Sequence, residues 1–324
     1  DANGDVHDYA FVGTMGGGAR IFDVTDPHLP RYVGSYLDPG WQNDVQVFGD
    51  LLISAFDPVG AAVHASDCLR QKNATQGQTR GGVDFIRLEF DPVLATLQAP
   101  LTFKTSRQGC YLTELGGGAH TITIHPSGDW LSLNTSSSGI EVVDLRNNAF
   151  SFVRKIPSAI VASAHDIFFS RDGNTLYSAG VGSTRVVDVS DIFNRAPTLI
   201  ANVTNVPPPD QADGHQVAIS HQSDTTADGR LLVITDEKGG GLSHNACNTS
   251  ATGSIGGANF YALAELPENA TKSAGASVTS PRKVGTWIYP RPDLGVDPLD
   301  GVFAGLGRPE PSCTIHVYRL GGNG

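Results

Sequence analysis

The sequence predicts an all-β fold, and three observations support this. Short apolar segments with strand-like alternation are separated by Asp-Gly, Ser-Gly and glycine-rich turns throughout a chain of 324 residues with 38 Gly and 19 Pro. Helical periodicity is limited to short stretches near residues 91 and 260. The strands recur in units of four, the third ending in a motif such as VVDV. Repeated four-stranded units of this kind predict a single β-propeller.

Each blade is predicted from one copy of this unit, of which HDIFFSRDGNTLYSAGVGSTRVVDV is the most regular. The four internal blades are predicted over residues 43–106, 120–156, 165–203 and 215–288. The stretch 8–36 offers the second, third and fourth strands of a unit, and 313–324 offers a first strand. We therefore expect a composite fifth blade closed by the two ends, which makes residues 1–324 one domain. Six or seven blades, and a β-sandwich with long loops, stay open as alternatives.

Charge and hydropathy argue against nucleic-acid binding and against a membrane-spanning helix. The chain has 33 acidic and 22 basic residues, a formal net charge of −11, and no run of Lys or Arg. Nucleic acid is therefore not expected as a partner. No apolar run approaches the ~18 residues that a membrane-spanning helix needs, so no membrane span is expected.

Cysteines and sequons both indicate a secreted protein, extracellular or periplasmic. The four cysteines, Cys68, Cys110, Cys247 and Cys313, lack metal-type CxxC spacing and predict disulfides. Three pairings are open, of which we favour Cys68 with Cys110 and Cys247 with Cys313. Candidate N-glycosylation sites are Asn73, Asn134, Asn202, Asn248 and Asn269.

Repeat motifs link the chain to a known group. ARIFDVTDP, GIEVVDLRN and TRVVDVSD, together with AHDIFFSRDGNTLYSAG, resemble the LVIVD-repeat β-propeller proteins. That bacterial group is distantly similar to selenium-binding proteins and methanethiol oxidases. The resemblance covers essentially the whole chain, but repeat motifs specify a fold better than an activity.

A histidine precedes the apolar row of several predicted first strands. In a propeller the first strand of each blade lines the central channel, so equivalent positions on these strands form a ring. Aligning HTI, HDI, HQV and IHV with NDV predicts such a ring, formed by Asn43, His120, His165, His215 and His316. Its four imidazoles are expected to bind one transition-metal ion. The resemblance implies copper first, with zinc or iron next.

Polar residues next to the ring are candidates for supporting roles. Asp44, Asp166 and Gln216 directly follow ring positions and are expected to orient an imidazole or to bond to a neighbouring blade. Asp236 and Glu237 end a strand beside a glycine-rich loop and form a candidate acid–base pair. The competing interpretation is a hydrogen-bonded polar ring without a metal.

Two functions from different classes follow. In the first, the protein is a copper-type metalloprotein with oxidoreductase activity on a small molecule that enters the channel. In the second, it is a non-catalytic extracellular scaffold or binding protein that contacts another extracellular protein or self-associates through its terminal blade or loops. A metal is expected only for the first, and whether the chain is an enzyme is left open.

Overall fold

The computed structural model describes most of the chain, and its contacts divide the protein into two compact units, Asp1–Lys155 and Ile156–Gly324. The described residues are 6–37, 42–57, 81–90, 103–114, 118–135, 138–213, 215–237, 253–254 and 256–287.

The first unit contains three antiparallel sheets among its described residues. The first sheet has three strands, β1 (Tyr9–Thr14), β2 (Gly18–Asp23) and β3 (Arg31–Tyr36). The second has four, β4 (Val45–Phe48), β5 (Leu51–Phe56), β6 (Gly82–Phe90) and β7 (Phe103–Leu112). The third has β8 (Ile122–Ile124), β9 (Trp130–Asn134), β10 (Gly139–Asp144) and β11 (Ser151–Pro157), whose last residues cross the unit boundary. In each of these three sheets, successive strands are neighbours, as expected for blades.

The second unit repeats the same arrangement. One sheet contains β12 (Asp166–Phe169), β13 (Thr175–Ala179), β14 (Ser183–Asp188) and β15 (Thr198–Thr204). The other contains β17 (Ser220–Thr225), β18 (Leu231–Asp236), β20 (Gly257–Ala262) and β21 (Arg282–Trp287). A separate parallel pair joins β16 (His215–Gln216) to β19 (Gly253–Ser254). Helix is limited to the single turns α1 (Ser158–Val161) and α2 (Ala270–Ser273) and three short 3-10 turns among the described residues.

Successive residues of one strand enter different hydrophobic cores. Ile53 of β5 packs with Phe85 and with residues of β8–β10, whereas Leu52 packs with Ile86 and with Ala19 of β2. Since side chains alternate between the faces of a strand, both faces of this sheet are covered by neighbouring sheets. This arrangement is typical of propeller blades.

The chain therefore adopts a β-propeller fold, as predicted. Four four-stranded sheets and one three-stranded sheet among the described residues fit five blades. The strand expected to complete the three-stranded sheet, 313–324, lies outside the described residues. One boundary is corrected, because the fourth internal blade begins at Ser220 and not at His215. No helix in the described part of the chain has the length and apolar character needed to cross a membrane.

Candidate metal centre

A glycine turn fixes the place of one histidine in each of three blades. The pairs, each eight residues apart, are His120 with Gly128, His165 with Gly173 and His221 with Gly229. The three glycines have φ values of 75°, 76° and 68°, which glycine adopts without steric cost. Each donates its backbone N–H to the carbonyl three residues earlier, at 2.8 or 2.9 Å. Because the same turn closes all three hairpins, these histidines lie the same number of residues before the turn, although the strand pairing at His221 is interrupted.

Two of these histidines meet a carboxylate in the second unit. The candidate ligand atoms of His165, His221 and Glu237 all lie within 4.8 Å of one another. His221 Nε2 is 3.6 Å from Glu237 Oε2, and the two imidazole centroids are 4.3 Å apart with planes inclined at 43°. The side chains of His221 and Glu237 are only 7% and 10% exposed, and His165 is half-buried. A carboxylate buried this deeply needs a positive partner, which a protonated imidazole or a bound cation can provide.

The backbone around β12 holds His165 in place. Its N–H donates to the Ala179 carbonyl at 2.7 Å, which extends the β12–β13 ladder by one residue. Ala162, where the chain leaves α1, has φ 59° and ψ −157°, a region that costs a residue with a Cβ about 1–3 kcal/mol. Asp166 accepts the backbone N–H of Ile167 at 2.7 Å. This strained approach places His165 directly before the first residue of β12.

The two acids of the candidate acid–base pair, Asp236 and Glu237, have separate contacts. Asp236 is fully buried, and its two carboxylate oxygens accept the N–H groups of Ala218 and Ile219, both at 3.0 Å. Glu237 donates its own N–H to the Ile219 carbonyl at 3.1 Å, and its side chain faces His221. Asp236 therefore binds backbone, while Glu237 provides a carboxylate to the cluster.

His215 and Gln216 do not occupy the position expected for the ring. Both lie in β16, outside the fourth internal blade, and Gln216 is exposed. The His215 N–H donates to Asp213 Oδ1 at 3.0 Å, and its carbonyl accepts from Lys283 Nζ at 2.7 Å. The prediction is wrong because the true first strand reads SHQSDT, which is buried although it lacks apolar residues. His221 is the histidine on that first strand, eight residues before its turn glycine.

The segment before that strand is held by a buried ion pair. Lys283 Nζ lies 2.8 Å from Asp213 Oδ1, and Thr286 donates to Asp213 Oδ2 at 2.8 Å. Burial alone would raise the pKa of Asp213, but the hydrogen bonds from Lys283 and Thr286 bring that pKa below its usual value. This pair anchors the segment that leads to the fourth internal blade on β21.

His120 has a carboxylate partner of its own in the first unit. Its Nδ1 lies 2.6 Å from Asp57 Oδ2. Asp44 is half-buried and accepts the N–H groups of Ile122 and Val45, both at 2.8 Å. Burial raises the pKa of Asp44 to about 6, although these hydrogen bonds and His120 limit the rise. Two roles are expected for Asp44 from the sequence, orienting an imidazole or bonding to a neighbouring blade. Since Ile122 lies in the next sheet, the hydrogen bond to Ile122 is of the second kind.

Asn43, the expected ring member without an imidazole, also binds backbone. Its Nδ2 donates to the Ala55 carbonyl at 2.9 Å, and its Oδ1 accepts the Gly18 N–H at 3.1 Å. These bonds connect β5 to the first residue of β2, so the buried side chain joins two sheets of the first unit.

Several predicted residues lie outside the described part of the chain, namely His316, Cys68, Cys247, Cys313, Asn73 and Asn248. Cys110 is disulfide-bonded, and the pairing stays a prediction. Asn202 is exposed on β15 and Asn269 is half-buried. Asn134 is fully buried in β9, so it is wrong as a glycosylation site in the folded protein.

Comparisons with known proteins identify the fold and no family. No family model matches the chain, and no curated protein matches its sequence. Among solved structures, the periplasmic gluconolactonase of Pseudomonas aeruginosa is 15% identical, with 90% of this chain and 70% of that chain covered and a TM-score of 0.51. A functionally unknown protein from Desulfotomaculum acetoxidans is 12% identical, with 94% and 72% covered and a TM-score of 0.49. Likeness at this identity supports the fold alone.

Proposed function

We propose that this protein is a metal-binding β-propeller in which His165, His221 and Glu237 hold one divalent transition-metal ion. The observation that carries the proposal is the convergence of two imidazoles and one carboxylate from two adjacent blades, largely shielded from solvent. Side chains on rigid strands need little reorganisation to bind an ion.

The spacing of these side chains suits a single ion. Ligands about 2.1 Å from one ion and about 90–110° apart are separated by about 3.0–3.4 Å. The 3.6 Å between His221 Nε2 and Glu237 Oε2 is close to this range. The largest separation within the set, up to 4.8 Å, exceeds the range by about 1.4 Å, which side-chain rotations that move the ligand atoms would close. The set fits a metal without a change of backbone.

The donor set changes the expected order of metals. Copper comes first only through the resemblance, because the similar selenium-binding proteins and methanethiol oxidases are associated with copper. Two imidazoles and a carboxylate are the donors of catalytic zinc sites and of non-heme iron(II) sites. We therefore propose zinc or iron first and copper next.

Three protein ligands suit a reactive centre better than a structural one. Structural zinc sites are closed by four protein ligands, whereas catalytic sites keep a position for water or substrate. A bound ion would supply Lewis-acid activation of an oxygen atom or, if it is iron or copper, electron transfer. In this role His165, His221 and Glu237 orient the ion, and burial of His221 and Glu237 excludes bulk water from two of the three ligands. The substrate we propose is a small molecule with an oxygen or sulfur donor.

Two reactions are candidates for the activity of such a metal centre. Oxidation of small thiols follows from the resemblance noted in the sequence. Lactone hydrolysis is included because a solved structure with this fold is a gluconolactonase, and a metal-activated water can attack a lactone carbonyl.

The second candidate function is a scaffold or self-associating propeller without a metal. The observation in its favour is β1, which lies at one edge of its three-stranded sheet among the described residues. An edge strand can pair with another chain. In this case the contact between His221 and Glu237 is an ordinary buried ion pair.

We also propose that the protein is secreted and carries N-linked glycans. The disulfide at Cys110 and the exposed Asn202 support this location.

Metal analysis of the untagged protein tests the proposed function. We expect one zinc, iron or copper per chain in the wild type, and its loss in His221→Ala and Glu237→Gln. His28→Ala is the matched control, since His28 is exposed in a turn of the first unit. A folded wild type that binds none of these ions after loading would contradict the proposal and favour the scaffold.

A further inference from the structure

His221 lies in a β-bulge. Ser220 is paired with Asp236 and Ser223 with Ile234, so two residues, His221 and Gln222, oppose the single residue Thr235. A bulge bends its strand and redirects the side chains that it contains, and bulges are common next to functional sites. The direction of the His221 side chain therefore depends on what keeps the bulge in place.

The side chain of Thr235 supports the bulge on the β18 side. Its hydroxyl oxygen accepts the Gln222 N–H at 3.0 Å, and the same hydroxyl lies 3.4 Å from the Gln222 carbonyl oxygen as a donor. Thr235 is 1% exposed, so water does not replace these bonds. They take the place of the ladder bonds that the bulge interrupts.

The preceding blade provides a natural comparison. Thr235 lies six residues after Gly229, and Ala179 lies six residues after Gly173, the equivalent turn glycine. Ala179 has no hydroxyl group. The β12–β13 ladder there is regular, running from Asp166 opposite Ala179 to Phe169 opposite Leu176. Of these two equivalent hairpins, the one with the hydroxyl carries the bulge.

The other side of His221 is anchored by the preceding blade. Ser220 and Val181 exchange two backbone hydrogen bonds, at 2.8 and 3.1 Å. The Ser220 hydroxyl also bonds to that of Thr184 at 2.6 Å. His221 thus lies between Ser220, which the preceding blade holds, and Gln222, which Thr235 holds.

We propose that Thr235 is a positioning residue for the metal ligand His221. The expected effect on metal affinity rests on the proposed function, whereas the expected effect on the direction of the His221 side chain does not. Without the hydroxyl, the Gln222 N–H loses its acceptor and the strand relaxes toward the regular register of β12–β13. Since a one-residue change of register sends a side chain to the opposite face of a sheet, the imidazole of His221 would leave Glu237.

The test compares Thr235→Val, which removes the hydroxyl at nearly constant volume, with Thr235→Ser, which keeps it. The first readout is the Zn²⁺ dissociation constant from titration calorimetry. We expect Thr235→Val to weaken binding about 10- to 100-fold, the usual effect of losing a group that orients a ligand, and Thr235→Ser to bind like the wild type. The second readout is the nuclear Overhauser effect between the His165 and His221 rings in the metal-free protein.

Thr113→Val is the matched control. Thr113 is also a buried threonine whose hydroxyl bonds to a backbone group, the Gly81 carbonyl at 3.2 Å, and it lies in the first unit. We expect this variant to lose stability and to keep both the Zn²⁺ affinity and the ring contact.

The two readouts separate failure of the inference from failure of the proposed function. If Thr235→Val keeps both the ring contact and the affinity of the wild type, Thr235 does not position His221. If the wild type binds no Zn²⁺ but Thr235→Val loses the ring contact that Thr235→Ser keeps, the positioning role stands and the metal site is withdrawn.

Discussion

Asp44→Asn removes a half-buried carboxyl group that joins two sheets. Asp44 accepts the N–H groups of Val45 in its own sheet and Ile122 in the next. Asparagine has nearly the same size and keeps one acceptor oxygen, but it does not titrate. Because both oxygens of Asp44 accept a hydrogen bond, the amide of asparagine also loses one of these bonds, at a cost that does not change with pH. The change of the stability difference with pH therefore isolates the titration of Asp44.

The sign and size of the effect follow from the pKa of Asp44. Burial raises this pKa from 3.8 to about 6, so the folded protein holds the proton more tightly than the unfolded chain does. The stability that this group contributes is present below the unfolded pKa and is lost as the pH rises through the folded one. A difference of about two units corresponds to about 3 kcal/mol. Relative to the wild type, Asp44→Asn should become more stable by about this amount between pH 3.5 and pH 7.5.

Urea unfolding across this pH range measures the difference directly. Asp172→Asn is the control of opposite sign, because hydrogen bonds from Ser170 and Asn174 lower the pKa of Asp172. That variant should lose stability relative to the wild type as the pH rises. A difference between Asp44→Asn and the wild type that stays constant with pH would refute the reasoning from burial.

Two further predictions concern stability. Val181→Gly should raise the free energy of unfolding by about 1 kcal/mol, because Val181 has φ 57° and a branched side chain. The control Val206→Gly, at an exposed valine without positive φ, should lower the free energy of unfolding. Equal losses of stability in the two variants would contradict the assignment of strain to Val181. Tyr111→Phe should cost about 2 kcal/mol, since its hydroxyl donates to buried Glu141 at 2.5 Å. Tyr261→Phe should be nearly neutral, because the buried Tyr261 hydroxyl has no hydrogen-bond partner in the described structure. Both pairs are measured by urea unfolding, and equal costs for the two tyrosines would show that the bond to Glu141 adds nothing.

Most of the fold could be predicted because turns and strands are local features. The hairpin from Asp166 to Ala179 combines an apolar first strand with an Asp-Gly turn, and both features are visible in the sequence. The first strand of the next blade, Ser220–Thr225, was missed because its buried residues are polar. Hydrogen bonds to neighbouring strands, some of them at the bulge, satisfy these polar groups. Such contacts join segments that are distant in the sequence, so they leave no periodic pattern within one strand.

The candidate site was predicted only in part. His165 belongs to the predicted histidine ring and Glu237 to the predicted acid–base pair, whereas His221 is in neither set. The spacing of eight residues to the turn glycine identifies His221 as the equivalent of His165, and this signal is present in the sequence. The approach of Glu237 to His221 depends on the bulge opposite Thr235, which spacing does not reveal.

The most direct test of the metal centre is an anomalous difference map from crystals of the wild-type protein loaded with Zn²⁺. We predict one strong peak within bonding distance, about 2.1 Å, of both His165 and His221 and of the Glu237 carboxylate. A fully loaded crystal with no peak at these three side chains would contradict the account and leave the two histidines and the acid as a structural cluster.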